Sequence, residues 1–316
     1  ELSGLSKEDI RALIYEVASK YELDRESPWI DAVQQRSQGN PLYLKLLCDA
    51  IENGEIALND IHALPDKIDD YYKAILLRYA NDADGDALLS GLYTFAAAKD
   101  YLTMAHLGLI NHLGEATVQR IGSTLKEVLY ENPLTEQVLD YQLFHESFRE
   151  YLIKEKMKPV ADAGNRIISF CSGWKELEGS WEQRYIFEHY ASHLSESKKE
   201  EHAGLLLQLI YDAEFIEAQK KVLRSFDTSN TLYKLALLKA SSLKHFDDQL
   251  EAALCLVDLK YEEANDAPQI FAMIAKGEIE LALKRIESFS GEDEDGIKRK
   301  FILYMLCLVE LSLLNS

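Results

Sequence analysis

Apolar residues recur along most of this chain every three or four positions, the spacing that gathers them on one stripe of a helix. Ile10, Leu13, Ile14 and Val17 follow a Ser6/Asp9 pair that resembles a capping box, which predicts a first helix. Ser27 and Pro28 supply an N-cap and a first-turn proline for a segment from Trp29 to Gln38, which Gly39 stops. Asn40 and Pro41 repeat the device, and Leu42, Leu44, Leu46, Leu47 and Ile51 carry the next helix to Gly54. Pro65 opens another through Ile68, Tyr72, Ile75 and Leu76, broken by the turn-forming run Asn81 to Gly85. Helical segments at 87–98, 103–113 and 116–129 come next.

The period then shortens to two. Glu131, Asn132 and Pro133 form a turn signal, and Val138, Asp140, Gln142 and Phe144 alternate as a short strand before His145 starts the helix FHESFREYLIKEK. Helices, a small hairpin and a further helix predict a winged helix. Helical patterns then follow at 161–174, 181–194, 202–212, 213–223, 231–243, 248–259, 269–275, 279–288 and 296–314. No strand signal separates them. Such an array suits an α-solenoid, in which each helix pair stacks on its neighbours. The stretch AMIAKGEIELALKRIE resembles a tetratricopeptide-type pair, without a strict period. The expected fold is therefore all-α, with one small β-hairpin in a winged helix, over domains 1–64, 65–157 and 158–316.

Composition narrows the chemistry. With 316 residues, 47% hydrophobic and 28% charged, and only 6 Pro and 15 Gly, the chain can bury a sizeable core without staples. The 34 basic against 54 acidic residues leave a net charge of −20, which repels phosphate backbones and makes nucleic acid an unfavoured partner. The four cysteines form no CxxC pair, which argues against metal clusters and a disulfide framework and fits a cytoplasmic protein. The longest apolar run, Phe301 to Val309, falls short of the roughly 20 residues a membrane span requires. The opening ELSGLSKED and the closing SLLNS are read as cuts within a longer polypeptide.

Several residue groups invite chemistry and have plainer readings. His189 and His193 share a helix face at i, i+4, but a third ligand is missing and Glu188 does not complete HExxH, so no metal is expected. His145, Glu146 and Ser147 have the residue types of a hydrolytic triad, yet neighbours at a helix start do not easily aim at one another. The acidic run Glu292 to Asp295 reads as solvated loop before it reads as a docking site. Trp29, Trp174 and Trp181 sit in apolar-patterned segments and are expected in cores.

Three segments, in this order, resemble the C-terminal half of STAND signal-transduction ATPases, the class that includes NACHT and disease-resistance-type NTPases. GNPLYLKLL at 39–47 is similar to their Gly-x-Pro motif in a helical lid, LPDKIDDYYKAILLRY to the entry of their winged helix, and FHESFREYL to their histidine motif. RYIFEHYASHL is similar to the helical array behind the winged helix in bacterial members. The resemblance implies a helical lid over 1–64, a winged helix over 65–157 and a helical repeat over 158–316. It implies that Pro41 packs on the adenine of a bound nucleotide and that His145 contacts the phosphates of ADP, latching an inactive state. Many members place Asp after the histidine, where this chain has Glu146. Helix capping alone also accounts for Asn40 and Pro41, and a histidine at a strand-to-helix junction is commonly structural.

The chain has no GxxxxGK[ST] loop, so no catalytic residue and no cofactor is expected within it; ATP or ADP with Mg belongs to an intact protein with a P-loop core. The expected role is that of regulator, with a protein trigger or effector bound through the repeats, homo-oligomerisation on activation and no membrane contact. A winged helix also admits a DNA-binding regulator, although segment 116–129 offers only Arg120 and Lys126 against Glu115 and Glu127. A protein-binding helical scaffold without nucleotide linkage is the third possibility.

Overall fold

The computed structural model describes residues 8–10, 12–13, 28–37, 40–52, 54, 56, 60–133, 139–177, 182–264, 273, 282–284 and 286. The order is α1 (Pro28–Ser37), α2 (Pro41–Glu52), α3 (Ile68–Ala80), α4 (Gly85–Ala97), β1 (Leu102–Thr103), α5 (Met104–Asn111), α6 (Glu115–Leu125), β2 (Leu129–Pro133) and β3 (Leu139–Leu143). Seven further elements follow: α7 (Glu146–Glu155), α8 (Met157–Ser172), a 3-10 turn (Trp174–Leu177), α9 (Gln183–Glu196), α10 (Glu200–Leu209), α11 (Ala213–Leu223) and α12 (Asp227–Leu243). Then comes α13 (Phe246–Ala264). Among the described residues the fold is helical with one small three-stranded sheet of order β1-β3-β2.

β1 was not expected from the pattern. Its two residues pair antiparallel with β3, Leu102 opposite Tyr141 and Thr103 opposite Asp140, and Thr103 is at once the N-cap of α5. A strand this short has no room for alternation, so Thr103 reads as a helix start. α5 also stops earlier than its pattern, because His112 turns left-handed at φ 53° without the glycine that would announce the stop. The turn before α4 does need its glycine. A Cβ at Gly85 would stand 2.8 Å from the Tyr79 carbonyl oxygen, an approach that backbone cannot relieve.

Two compact units form, one from 1–96, 119–130 and 143–157, the other from 97–118, 131–142 and 158–316. In the first, Trp29, Ile30 and Val33 of α1 meet Tyr43, Leu44 and Leu47 of α2, with Leu64 and Tyr71 closing the cluster. The Tyr43 and Tyr71 rings meet edge-on at 5.0 Å, and the Tyr43 hydroxyl donates to the Pro65 carbonyl at 2.6 Å, which ties α2 to the entry of α3. Burial raises both phenols, Tyr43 to about 12, so both remain donors at neutral pH.

The second unit is built on α9. Phe187 and Tyr190 pack with Phe215 of α11 at 5.3 and 6.2 Å, and Trp174 stands 5.5 Å from the same ring. Gln219 donates to the Phe187 carbonyl at 2.8 Å while its own oxygen accepts from Ser229 at 2.6 Å, so a buried amide is satisfied on both ends. The predicted segments 269–275, 279–288 and 296–314 fall mostly outside the described residues, as do the acidic run 292–295 and Trp181.

Phe215→Ala should lower stability by about 3 to 5 kcal/mol, since the ring is 1% exposed and three aromatic partners would face a void. Equilibrium denaturation followed by fluorescence, with Trp174 beside the substituted site, measures the loss. Acid should destabilise the protein through two histidines that the fold keeps neutral. Burial lowers His106, and burial with the nearby charges of Lys99 and His189 takes His193 down to about 3. The unfolded chain takes up protons near pH 6.5 that the folded chain refuses, so the stability they contribute is complete above that pH. It declines below it by up to about 1.4 kcal/mol per pH unit for each histidine. Denaturation titrations from pH 7.5 to 4.5 on the wild type and His193→Gln should give the variant the shallower slope.

Candidate functional site

Both motif residues implied as nucleotide contacts sit at helix starts in the first unit. The first four N–H groups of a helix lack partners within it, so the side chain just ahead supplies an acceptor. At α2, Asn40 Oδ1 accepts from the N–H groups of Leu42 at 2.9 Å and Tyr43 at 3.3 Å. Pro41, with no N–H to satisfy, takes the first helical position, and its ring is exposed. Capping accounts for the backbone here and leaves the outer face of Pro41 open.

At α7 the cap is His145, extended at φ −152° and ψ 137°, whose Nδ1 accepts the Ser147 N–H at 3.1 Å. A ring nitrogen that accepts an N–H carries no proton, so the ring proton of the neutral imidazole is on Nε2. The Ser147 hydroxyl lies 2.8 Å from the same Nδ1 and therefore donates to it. Behind the serine, the Tyr72 hydroxyl stands 2.7 Å from Ser147 Oγ and donates in turn. Tyr72 is fully buried on α3 between Phe148 at 4.7 Å and Tyr151 at 5.3 Å, and burial raises its phenol, which preserves the donor. The relay Tyr72–Ser147–His145 fixes one edge of the imidazole and leaves Nε2–H on an exposed ring.

His145 and Ser147, whose residue types with Glu146 suggested a triad that their adjacency argued against, do meet at the helix start. They bond because the N-cap conformation folds the ring back over the first turn. No triad results, since Glu146 turns to Arg149 at 2.9 Å and away from the imidazole. Arg149 in turn donates through Nε to the Ala96 carbonyl at 3.0 Å, anchoring the start of α7 to the end of α4.

A cleft of roughly 620 Å³ opens beside this arrangement, lined among others by Lys45, Asp49, Tyr71, Arg78, Lys126 and Phe144. Lys45, one turn past Pro41, holds its ammonium 5.9 Å from the centre of the Phe144 ring, next to His145. Arg78 pairs with Glu127, which also accepts from Tyr79 at 2.6 Å. Lys45 and Phe144 were not singled out from the sequence; each stands next to a motif residue, but nothing in the pattern says that the two meet.

The other candidates separate. His193 bonds Tyr185 at 2.9 Å rather than joining His189. Trp29 packs in a core as expected, while Trp174 is only half-buried, against Phe187 and Phe215. Of the two basic residues in segment 116–129, Arg120 lies within α6 and is paired with Asp84 at 2.9 Å. No described helix is long and apolar enough to cross a membrane.

Tyr72→Phe should cost about 0.5 to 1.5 kcal/mol, the net worth of a hydrogen bond, and Ser147→Ala more, because it also removes the bond to His145 and strands the Tyr72 hydroxyl, although both delete the Tyr72–Ser147 bond. Because both remove the same bond, the double variant should lose less than the sum. Urea titrations of the four proteins give the coupling. A scan against protein-family models finds no match to the chain, and a search of curated proteins finds none either.

Proposed function

We propose that this chain is the helical-lid, winged-helix and helical-repeat portion of a STAND-type nucleotide-gated switch, in a protein whose P-loop core is supplied by another part of the polypeptide. On this reading the chain regulates and does not hydrolyse nucleotide; ATP or ADP with Mg is held by the core. Pro41 offers its exposed ring to the adenine and His145 its Nε2–H to a phosphate oxygen. The helices from α8 onward take the protein trigger or effector, and release of the latch permits homo-oligomerisation in the cytoplasm.

The observation that carries this reading is the fixed imidazole edge. A histidine that served only to cap α7 would need Nδ1 and nothing more. Here a buried tyrosine and a serine hold the ring so that its remaining donor stands outside, as a sensor of an anionic oxygen requires. A DNA-binding winged helix is the weaker alternative, because Arg120 is spent on Asp84 and the chain carries −20 net charge.

In the protein together with its core, His145→Ala removes a bond made only in the closed form. A charge-assisted hydrogen bond is worth about 1.5 to 3 kcal/mol, so the closed-to-open ratio should fall by about 10- to 150-fold. Trigger-free oligomerisation, measured by light scattering beside the melting temperature, checks it. A destabilised variant that stays monomeric and silent would remove His145 as a sensor.

A further inference from the structure

The second unit brings Asp100 to two adjacent side chains of α9 that lie far from it in the sequence. Asp100 lies in the segment that enters β1, while Glu188 and His189 are consecutive on α9. His189 Nε2 stands 3.6 Å from Asp100 Oδ2 and 3.9 Å from Glu188 Oε2, and one ligand atom from each lies within 4.8 Å of the others. These separations are too long for hydrogen bonds, and His189 Nε2 is sealed from solvent with no hydrogen-bond partner. One ring nitrogen and two carboxylate oxygens thus converge at ion-pair distances, close enough to share a single ion.

We propose that Asp100, Glu188 and His189 form a binding site for a divalent transition-metal ion of the zinc class. With metal–ligand bonds of about 2.0 to 2.2 Å, tetrahedral ligand atoms lie about 3.4 Å apart, so the observed spacings need only a small closure. Each carboxylate already has its other oxygen held. Asp100 Oδ1 accepts the Tyr101 N–H at 2.8 Å, and Glu188 Oε1 accepts from Arg184 Nε at 2.9 Å, which leaves Oδ2 and Oε2 for the ion. Burial lowers the affinity of His189 for a proton, which keeps its lone pair available for a metal.

The charges facing the site permit an ion. Lys99 is the nearby ammonium, and it pairs with Glu196; Arg184 balances the outer oxygen of Glu188. The side chains are 19% exposed at His189, 29% at Glu188 and 51% at Asp100, so the site opens on the Asp100 side and water can complete the coordination. One imidazole, two carboxylates and no thiolate suit Zn²⁺ better than Cu(I), and the imidazole disfavours Ca²⁺ and Mg²⁺. A bound ion would clamp the entry of β1 to α9 within the second unit. The proposal is independent of the switch reading.

The test is calorimetric titration of the full chain, stripped with chelator, using Zn²⁺ alone, together with melting curves at rising Zn²⁺. One equivalent should bind in the micromolar range or tighter, and the melting temperature should climb with Zn²⁺ concentration. Asp100→Asn and Glu188→Gln, both nearly isosteric, should each weaken binding at least about 10-fold and flatten the melting response while leaving the far-ultraviolet circular dichroism unchanged. His245→Gln, which removes an exposed histidine 3.3 Å from Asp248, should bind as the wild type does. The proposal is overturned if the wild type binds no stoichiometric zinc, if Asp100→Asn and Glu188→Gln bind as tightly as the wild type, or if His245→Gln is the variant that loses the ion.

Discussion

The hydrogen-bonded line from Tyr72 through Ser147 to His145 is the constraint on which the candidate site depends. A surface histidine is ordinarily free to rotate and to exchange tautomers, and either freedom would blur its contact with a ligand. Here the ring is held at Nδ1 by the N–H and hydroxyl of the same serine, and that serine is held by a phenol rooted in the first unit's core. The cap of α7 and the orientation of the imidazole are thus one interaction. Its cost in ordering is low, because Tyr72 is already fixed by Phe148 and Tyr151.

The same economy recurs wherever this fold buries polar groups. Tyr43 on Pro65, Tyr79 on Glu127, Arg149 on Ala96 and Gln219 between Phe187 and Ser229 each join two elements through a side chain whose apolar body lies in a core. Apolar burial holds the helices together but tolerates sliding; a phenol that must reach one particular carbonyl does not. In the first unit these ties run from α2 to the entry of α3 and from α7 to the end of α4. They fix the helix starts that carry Pro41 and His145.

Much of this was legible in the residues, for stated reasons. Helix starts at Pro41 and near His145 could be read because capping is local: Asn40 precedes a proline, and His145 follows a strand and opens an amphipathic run. The helical character of 182–264 was likewise plain in the spacing of its apolar positions. What escaped were contacts across sequence distance. Tyr72 looks like one more aromatic on an apolar face, and only the fold shows that its hydroxyl meets Ser147. Asp100 lies between two predicted helices and does not stand out until α9 is laid beside it. The two-residue β1 is too short to leave a period, and the left-handed His112 ends α5 without a glycine.

The central claim, that the relay locks His145 with Nδ1 as acceptor and Nε2 protonated, can be observed directly. Long-range proton–nitrogen correlation spectra of the chain labelled with ¹⁵N-histidine, recorded above the pH at which the ring takes up a second proton, report which nitrogen carries the hydrogen. The account predicts a single Nε2–H tautomer for His145 in the wild type, relaxing toward a mixture in Ser147→Ala. A His145 that carries its proton on Nδ1, or whose tautomer is indifferent to Ser147, would contradict it.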